Sequence, residues 1–134
     1  MKEIVPGLRF TVEATVGESD TARALGSGTL PVLATPRMAA LMEEAAWRSV
    51  APYLEAGESS VGVSLTLQHV SATPVGLRVR VESELTAAEG RKLRFTVKAF
   101  DEAGPIGEAE HERVVIAERR FMDKAGRKLA ADIL

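Results

Sequence analysis

The chain contains no cysteine. That excludes a disulfide framework, thiolate metal ligands and a cysteine nucleophile, and it fits a reducing, cytoplasmic setting. Only two histidines occur, His69 and His111. That is too few for a histidine-built metal cluster, so no metal site is expected. Aromatic residues make up just 4% of the chain, and no basic stretch interleaves with them. With a formal net charge of -2, this argues against a nucleic-acid partner. No run approaches the roughly 18 apolar residues of a membrane span, and the N-terminal MKEIVPGLRF lacks the apolar centre of a secretion signal, so neither a membrane nor export is expected. What remains is 46% hydrophobic and 27% charged over 134 residues, which reads as one soluble domain, 1–134, able to bury its own core.

The organising stretch is ATPRMAALMEEAAWRSVAPYL, from Ala34 to Leu54. Thr35 followed by Pro36 predicts a helix start, with a hydroxyl to cap free amides and a proline whose fixed φ suits the first turn. The residues after it lack glycine and are rich in Ala, Leu, Met and Glu, which propagate helices. Nearly every side of this helix is apolar, as in an element surrounded by protein. Arg37, Glu44 and Arg48 form its polar stripe, with Glu44 one turn before Arg48 for an ion pair. Glu43 lies off that stripe, among Ala39, Ala40, Ala46, Trp47, Val50 and Leu54. An inward carboxylate there needs a partner, because burying it alone is costly.

Strands surround this helix in the sequence. Leu8 to Val16 alternates, with Leu8, Phe10, Val12, Ala14 and Val16 on one face. Gly17 to Leu33 reads as an irregular connection that covers a site. Gly57 reads as the stop after the helix. In the strand from Val61 to Ala72, simple alternation puts Val61, Val63, Leu65, Leu67 and His69 toward the core, with Gly62, Ser64 and Thr66 facing away. Leu77 to Thr86 and Leu93 to Ala99 form a hairpin around Glu89-Gly90 with one solvated face. Ile106 to Ala117 is the last strand. There His111 alternates with Ala109 and Arg113, but the surrounding Glu108, Glu110 and Glu112 make it read as a structural or solvated residue. One apolar helix and about five half-polar antiparallel strands predict an α+β fold, a curved sheet wrapped around a buried helix. The tail from Glu118 to Leu134 places Phe121, Ala125, Leu129 and Ile133 at four-residue spacing, a terminal amphipathic helix weakened by Gly126 that serves only for packing or frays.

The segments LATPRMAALMEEAAWRSVAPYLEAGESSVG, QHVSATPVG, EGRKLRF and GEAEHERVVI keep the order and spacing of a known family. From Leu33 to Phe121 the chain resembles the fluoroacetyl-CoA thioesterase-like branch of the hotdog-fold superfamily. That resemblance implies a five-stranded antiparallel sheet around a long central helix. It also implies hydrolysis of an acyl-CoA thioester at sites formed between two subunits of a homodimer. By motif match the catalytic residues fall on Thr35, Glu43 and His69. Gly62 matches a backbone position lining the acyl site, and Arg113 an arginine near it. Coenzyme A enters as part of the substrate and no separate cofactor is implied.

Each of these residues also has a plainer role. Thr35 is accounted for as a helix cap, Glu43 as a carboxylate satisfied by Arg113, His69 as a core histidine and Gly62 as a strand glycine that lets another group approach. Together, an inward hydroxyl, carboxylate and imidazole are the ingredients for activating a nucleophile or a water molecule. Two departures from the family bear on the chemistry. Pro36 stands where close relatives have glycine, removing one N–H from the helix start. The connection GSGTLPVLA holds no aromatic residue, so a short- or medium-chain acyl-CoA is expected rather than fluoroacetyl-CoA alone. The same fold also serves dehydratases, which pair a histidine with a carboxylate, and non-catalytic acyl-CoA-binding modules. Thr35 adds nothing evident to dehydration, which favours hydrolysis.

Overall fold

The computed structural model describes residues 1–130. Among them are five strands, β1 (Arg9–Thr15), β2 (Glu58–His69), β3 (Arg78–Glu89), β4 (Lys92–Asp101) and β5 (Gly104–Ala117). They form one antiparallel sheet in the order β1-β3-β4-β5-β2. The helices are α1 (Ala22–Leu25), the long α2 (Thr35–Val50) and α3 (Glu118–Ala130). The expected α+β hotdog architecture is what the chain adopts, with α2 lying in the concave face of the sheet.

The alternation seen in the sequence accounts for the core. Val12, Val79, Val81, Leu85, Leu93, Phe95, Val97, Ile106 and Val115 face α2 and are buried. From the helix come Met38, Leu41, Met42, Ala45, Ala46 and Val50. Fully burying each of the larger side chains contributes roughly 1.5–3 kcal/mol. The opposite face of the sheet is solvated and carries cross-strand ion pairs such as Arg78–Glu13 at 3.1 Å and Arg94–Glu112 at 3.0 Å. Ser83 is a buried polar residue on the inner face, and its hydroxyl donates to the Ala45 carbonyl of α2 at 3.0 Å.

Three details differ from the sequence reading. The α-helix ends at Val50 and continues as a 3-10 turn over Ala51–Tyr53, because Pro52 cannot supply the next backbone donor. The connection before α2 is more ordered than expected. It holds a 3-10 turn (Glu18–Asp20), α1 and two isolated bridges, Thr21 with Leu33 and Val32 with Pro74. Finally, α3 forms, but none of its described residues is buried, so of the two roles expected for the tail it does not fill the packing one. Phe121, Met122 and Leu129 lie exposed on it, and Ile133 falls outside the described residues.

Candidate active site

One end of α2 holds a hydroxyl–imidazole pair. Ala34, in extended conformation, occupies the half-in position before the helix, and it makes no side-chain cap. Thr35 is already the first helical residue. Its hydroxyl therefore does not cap the helix, contrary to the expectation from sequence. Instead Thr35 Oγ1 lies 2.7 Å from His69 Nδ1. His69 is the last residue of β2 and belongs to its inward-facing row, as the alternation predicts. Its Nε2 is buried and has no hydrogen-bond partner among the described residues.

Two features bring this pair together. Gly107 stands opposite His69 in the β2–β5 ladder. A Cβ on Gly107 would lie 2.8 Å from Met38 Cε and 2.7 Å from the Gln68 carbonyl oxygen, so its absence lets the first turn of α2 settle onto the sheet beside His69. The preceding connection is fastened by Asp20. Its carboxylate accepts from Arg37 Nε at 2.9 Å and from the Gly17 amide at 2.8 Å, while its carbonyl accepts from the Ala34 amide at 2.9 Å.

The second cluster lies further along α2. Glu43 is the misplaced carboxylate of the sequence, but its side chain is 44% exposed rather than enclosed. Its Oε2 sits 3.5 Å from Arg113 Nη1. Arg113 is held firmly, with Nε donating to Ser60 Oγ and Nη2 to the Ser60 carbonyl, both at 2.9 Å. Nη1 also reaches His111 Nε2 at 3.1 Å, and His111 Nδ1 reaches the Ser64 carbonyl at 2.7 Å. His111 is 1% exposed, which corrects the solvated reading. The three neighbouring glutamates lie on the other face of β5 and say nothing about the inward row Ala109, His111, Arg113. That alternation was the signal from which the burial of His111 was readable.

Gly62 also faces opposite to the simple expectation. The β2–β5 register shifts between Gly62 and Ser64, and the bulge turns Val63 outward, 55% exposed. Gly62 faces inward in consequence. A Cβ there would lie 2.6 Å from Glu43 Oε2, 3.2 Å from His111 Cε1 and 3.3 Å from Arg113 Nη1. A hollow of about 500 Å³ adjoins this cluster, lined by Trp47, Leu54, Glu58, Ser60 and Arg113 among others. Burial pushes His111 below the ordinary histidine value of 6.5; the Ser64 carbonyl opposes this, the Arg113 charge adds to it, and Glu43 opposes it. Burial likewise lowers Arg113, with Glu43 pulling the other way.

Within one chain, then, Thr35 meets His69, and Glu43 meets Arg113 and Gly62. Thr35 and Glu43 are eight positions apart on one helix, which separates them by about 12 Å along its axis. One copy does not assemble all three candidate catalytic groups at a point. Among the described residues no group of three or more His, Asp or Glu is arranged to hold a metal ion, and no helix is long and apolar enough to cross a membrane.

Comparison with known proteins gives this geometry a family. The family model described as fluoroacetyl-CoA-specific thioesterase, FlK, matches residues 16–119. The chain belongs to this family. The fluoroacetyl-CoA thioesterase of Streptantibioticus cattleyicolor is 46% identical over 100 residues, 75% of this chain and 72% of that protein. A solved structure of the fluoroacetyl-CoA thioesterase FlK superposes with a TM-score of 0.90 at 41% identity, over 95% of this chain and 98% of that one. A thioesterase superfamily member from Thermus thermophilus superposes with a TM-score of 0.87 at 30% identity, over 97% of this chain and 96% of its own. Family membership and the hotdog fold agree with the resemblance read from Leu33 to Phe121.

Proposed function

We propose that the protein is an acyl-CoA thioester hydrolase acting on a short- or medium-chain acyl group, with Thr35, His69 and Glu43 as its catalytic residues. The observation that carries this is the Thr35 Oγ1–His69 Nδ1 contact of 2.7 Å, made by a hydroxyl the helix does not use as its cap. A hydroxyl within hydrogen-bond reach of an imidazole is an activated nucleophile. Thr35 Oγ attacks the thioester carbonyl and gives its proton to His69 Nδ1. The C–S bond then breaks and coenzyme A leaves as a thiolate that takes the proton back from His69, which restores the neutral imidazole. Water, deprotonated by the same imidazole, hydrolyses the acyl-threonine to the free acid. Pro36 supplies no N–H to the oxyanion, and the positive pole at the start of α2 favours the charge that develops there. Coenzyme A enters only as part of the substrate.

The carboxylate comes from a second copy. Glu43 stands too far along α2 to reach its own chain's Thr35, while β2 is an edge strand whose outer side is open. Pairing of two such edges removes unpaired backbone groups and makes a symmetric dimer. In that homodimer, Glu43 of one subunit lies beside the Thr35–His69 pair of the other, where its charge stabilises the imidazolium. Support for an acyl group larger than fluoroacetyl comes from two sources. The connection GSGTLPVLA has no aromatic residue, and the hollow beside Arg113 measures about 500 Å³.

Thiol release measured over a panel of acyl-CoA esters tests the proposal. Turnover of acetyl- to octanoyl-CoA is expected. Hydration of an enoyl-CoA without thiol release identifies a dehydratase instead, and tight binding with neither reaction leaves a binding module. Mass spectrometry of the protein during turnover reports the acyl-threonine directly. Its persistent absence on a slowed variant makes water the nucleophile.

A further inference from the structure

His111 is not among the residues proposed above to carry the chemistry, yet it is the most constrained side chain near Glu43. Its protonation pattern follows from its neighbours. The Ser64 carbonyl can only accept, so His111 Nδ1 carries the proton and donates across 2.7 Å. Arg113 Nη1 can only donate, so His111 Nε2 is the bare nitrogen that accepts across 3.1 Å. The imidazole is thus neutral, in one tautomer, with both nitrogens committed. Its ring lies near Phe95, centroids 6.0 Å apart, and it is 1% exposed. Ser64 closes the bulge that turns Gly62 inward, and Arg113 is the cation beside Glu43.

We infer that His111 is a positioning residue for the Glu43 carboxylate, holding Arg113 through Nε2 and the Gly62 bulge through Nδ1. Arg113 keeps two of its nitrogens on Ser60, which fixes the plane of the guanidinium. The acceptor on His111 fixes where the remaining nitrogen, Nη1, presents its charge. Glu43, half exposed and with no other ion-pair partner among the described residues, rests against that charge over the bare backbone of Gly62. The groups facing the imidazole are therefore Arg113 and Ser64 on their strands, Glu43 on α2 and Phe95 on β4. Only Arg113 and Glu43 among them are charged.

This inference rests on the hydrolase reading, and the test separates the two. Three substitutions divide the roles of the ring, read as kcat and KM on the best acyl-CoA together with the thermal midpoint. His111→Gln puts an amide oxygen where Nε2 stands and keeps an acceptor for Arg113. His111→Asn puts an amide nitrogen where Nδ1 stands and keeps only the donor to Ser64. His111→Phe keeps the packing on Phe95 and neither bond. Retention of kcat within about 3-fold is expected for Gln, about a 10-fold loss for Asn and a larger loss for Phe, with KM moving far less. In an Arg113→Met background, adding His111→Asn should leave kcat unchanged within about 2-fold, because the route through Arg113 is already gone and the bond to Ser64 is kept. If Phe does not fold, the Gln–Asn contrast decides alone. Loss of kcat that follows the thermal midpoint across variants, with Gln no better than Asn, overturns the positioning role and leaves the hydrolase intact. A parent chain that releases no thiol from any acyl-CoA overturns both.

Discussion

The two ends of the line of functional groups along α2, Thr35 in its first turn and Glu43 at its middle, are held in different ways. At the start of the helix, Thr35 and His69 touch each other directly, and the precision comes from backbone: Gly107 lets Met38 down onto the sheet, and Asp20 ties the incoming connection to Arg37 and Ala34. Around Glu43 the precision comes from side chains, a line of contacts from the Ser64 carbonyl through His111 and Arg113 to a half-exposed carboxylate. Each end rests on a glycine, but the glycines do different work. An added methyl at Gly107 meets a backbone oxygen and a buried methionine, whereas at Gly62 its closest contact is the tip of a flexible glutamate, with His111 and Arg113 side-chain atoms beyond 3 Å. The first end is built by the fold and the second is built onto it.

The largest effects should come from removing one group at each end. Thr35→Ala and Glu43→Gln are each expected to lower kcat/KM by about 10²–10⁴-fold with little change in thermal midpoint, as for other groups that move protons or attack. Mixing the two inactive variants then tests whether the ends meet across subunits. After unfolding and refolding together, half the dimers are mixed, and each keeps one intact site of two. About one quarter of parent activity should return. No recovery, with mixed dimers demonstrated by mass spectrometry, means that each chain works alone.

The glycines sharpen the contrast. Gly107→Ala forces Met38 and the Gln68 backbone apart and is expected to cost about 1–3 kcal/mol of stability by overpacking, read by denaturant titration. Gly62→Ala should cost less stability than Gly107→Ala, because Glu43 can swing into solvent and the tips of His111 and Arg113 need give way by only a few tenths of an ångström. It should lower kcat by about 10-fold as the carboxylate leaves its place. If Gly62→Ala unfolds the protein while Gly107→Ala only slows it, the distinction between the two ends is wrong.

How much of this was legible beforehand divides along the same line. The helix and the strands around it were readable because apolar residues recur with periods near 3.6 and 2. Leu93, Phe95, Val97 and Ala99 all proved buried, as their alternation required. Periodicity marks Glu43 as an inward carboxylate and His69 as an inward imidazole, and resemblance supplies the catalytic roles of both and of Thr35. Geometry added that Thr35 and His69 touch while Glu43 stands apart. The second cluster was misread because alternation has no means of registering a bulge. One extra residue at Val63 reverses the facing of Gly62 relative to a strict period of two. For His111 only the solvated alternative fails, since the glutamates beside it in sequence occupy the opposite face of the strand. The tail followed its helical period into a helix, but periodicity cannot say that a partner surface exists, and within the described chain none covers α3.

The smallest expected effect concerns acid, and its sign follows from His111. Burial, with help from Arg113, holds the folded imidazole below the ordinary value of 6.5, so the folded chain resists the proton that the unfolded chain accepts. Where the unfolded state binds more protons, stability rises with pH. The contribution of His111 is therefore whole above about pH 6.5 and is lost as pH falls from there toward its lower folded value. Protonation would also place a hydrogen on Nε2 facing Arg113 Nη1, setting two donors and two positive charges against each other. Thermal midpoints at pH 7.5 and pH 5.5 read this, with His111→Gln as the reference, since every other titrating group is common to both chains. The parent should lose more stability than the variant on acidification. An equal loss in both would mean that the imidazole takes up its proton in place, and that the line from Ser64 to Glu43 tolerates a cation at its centre.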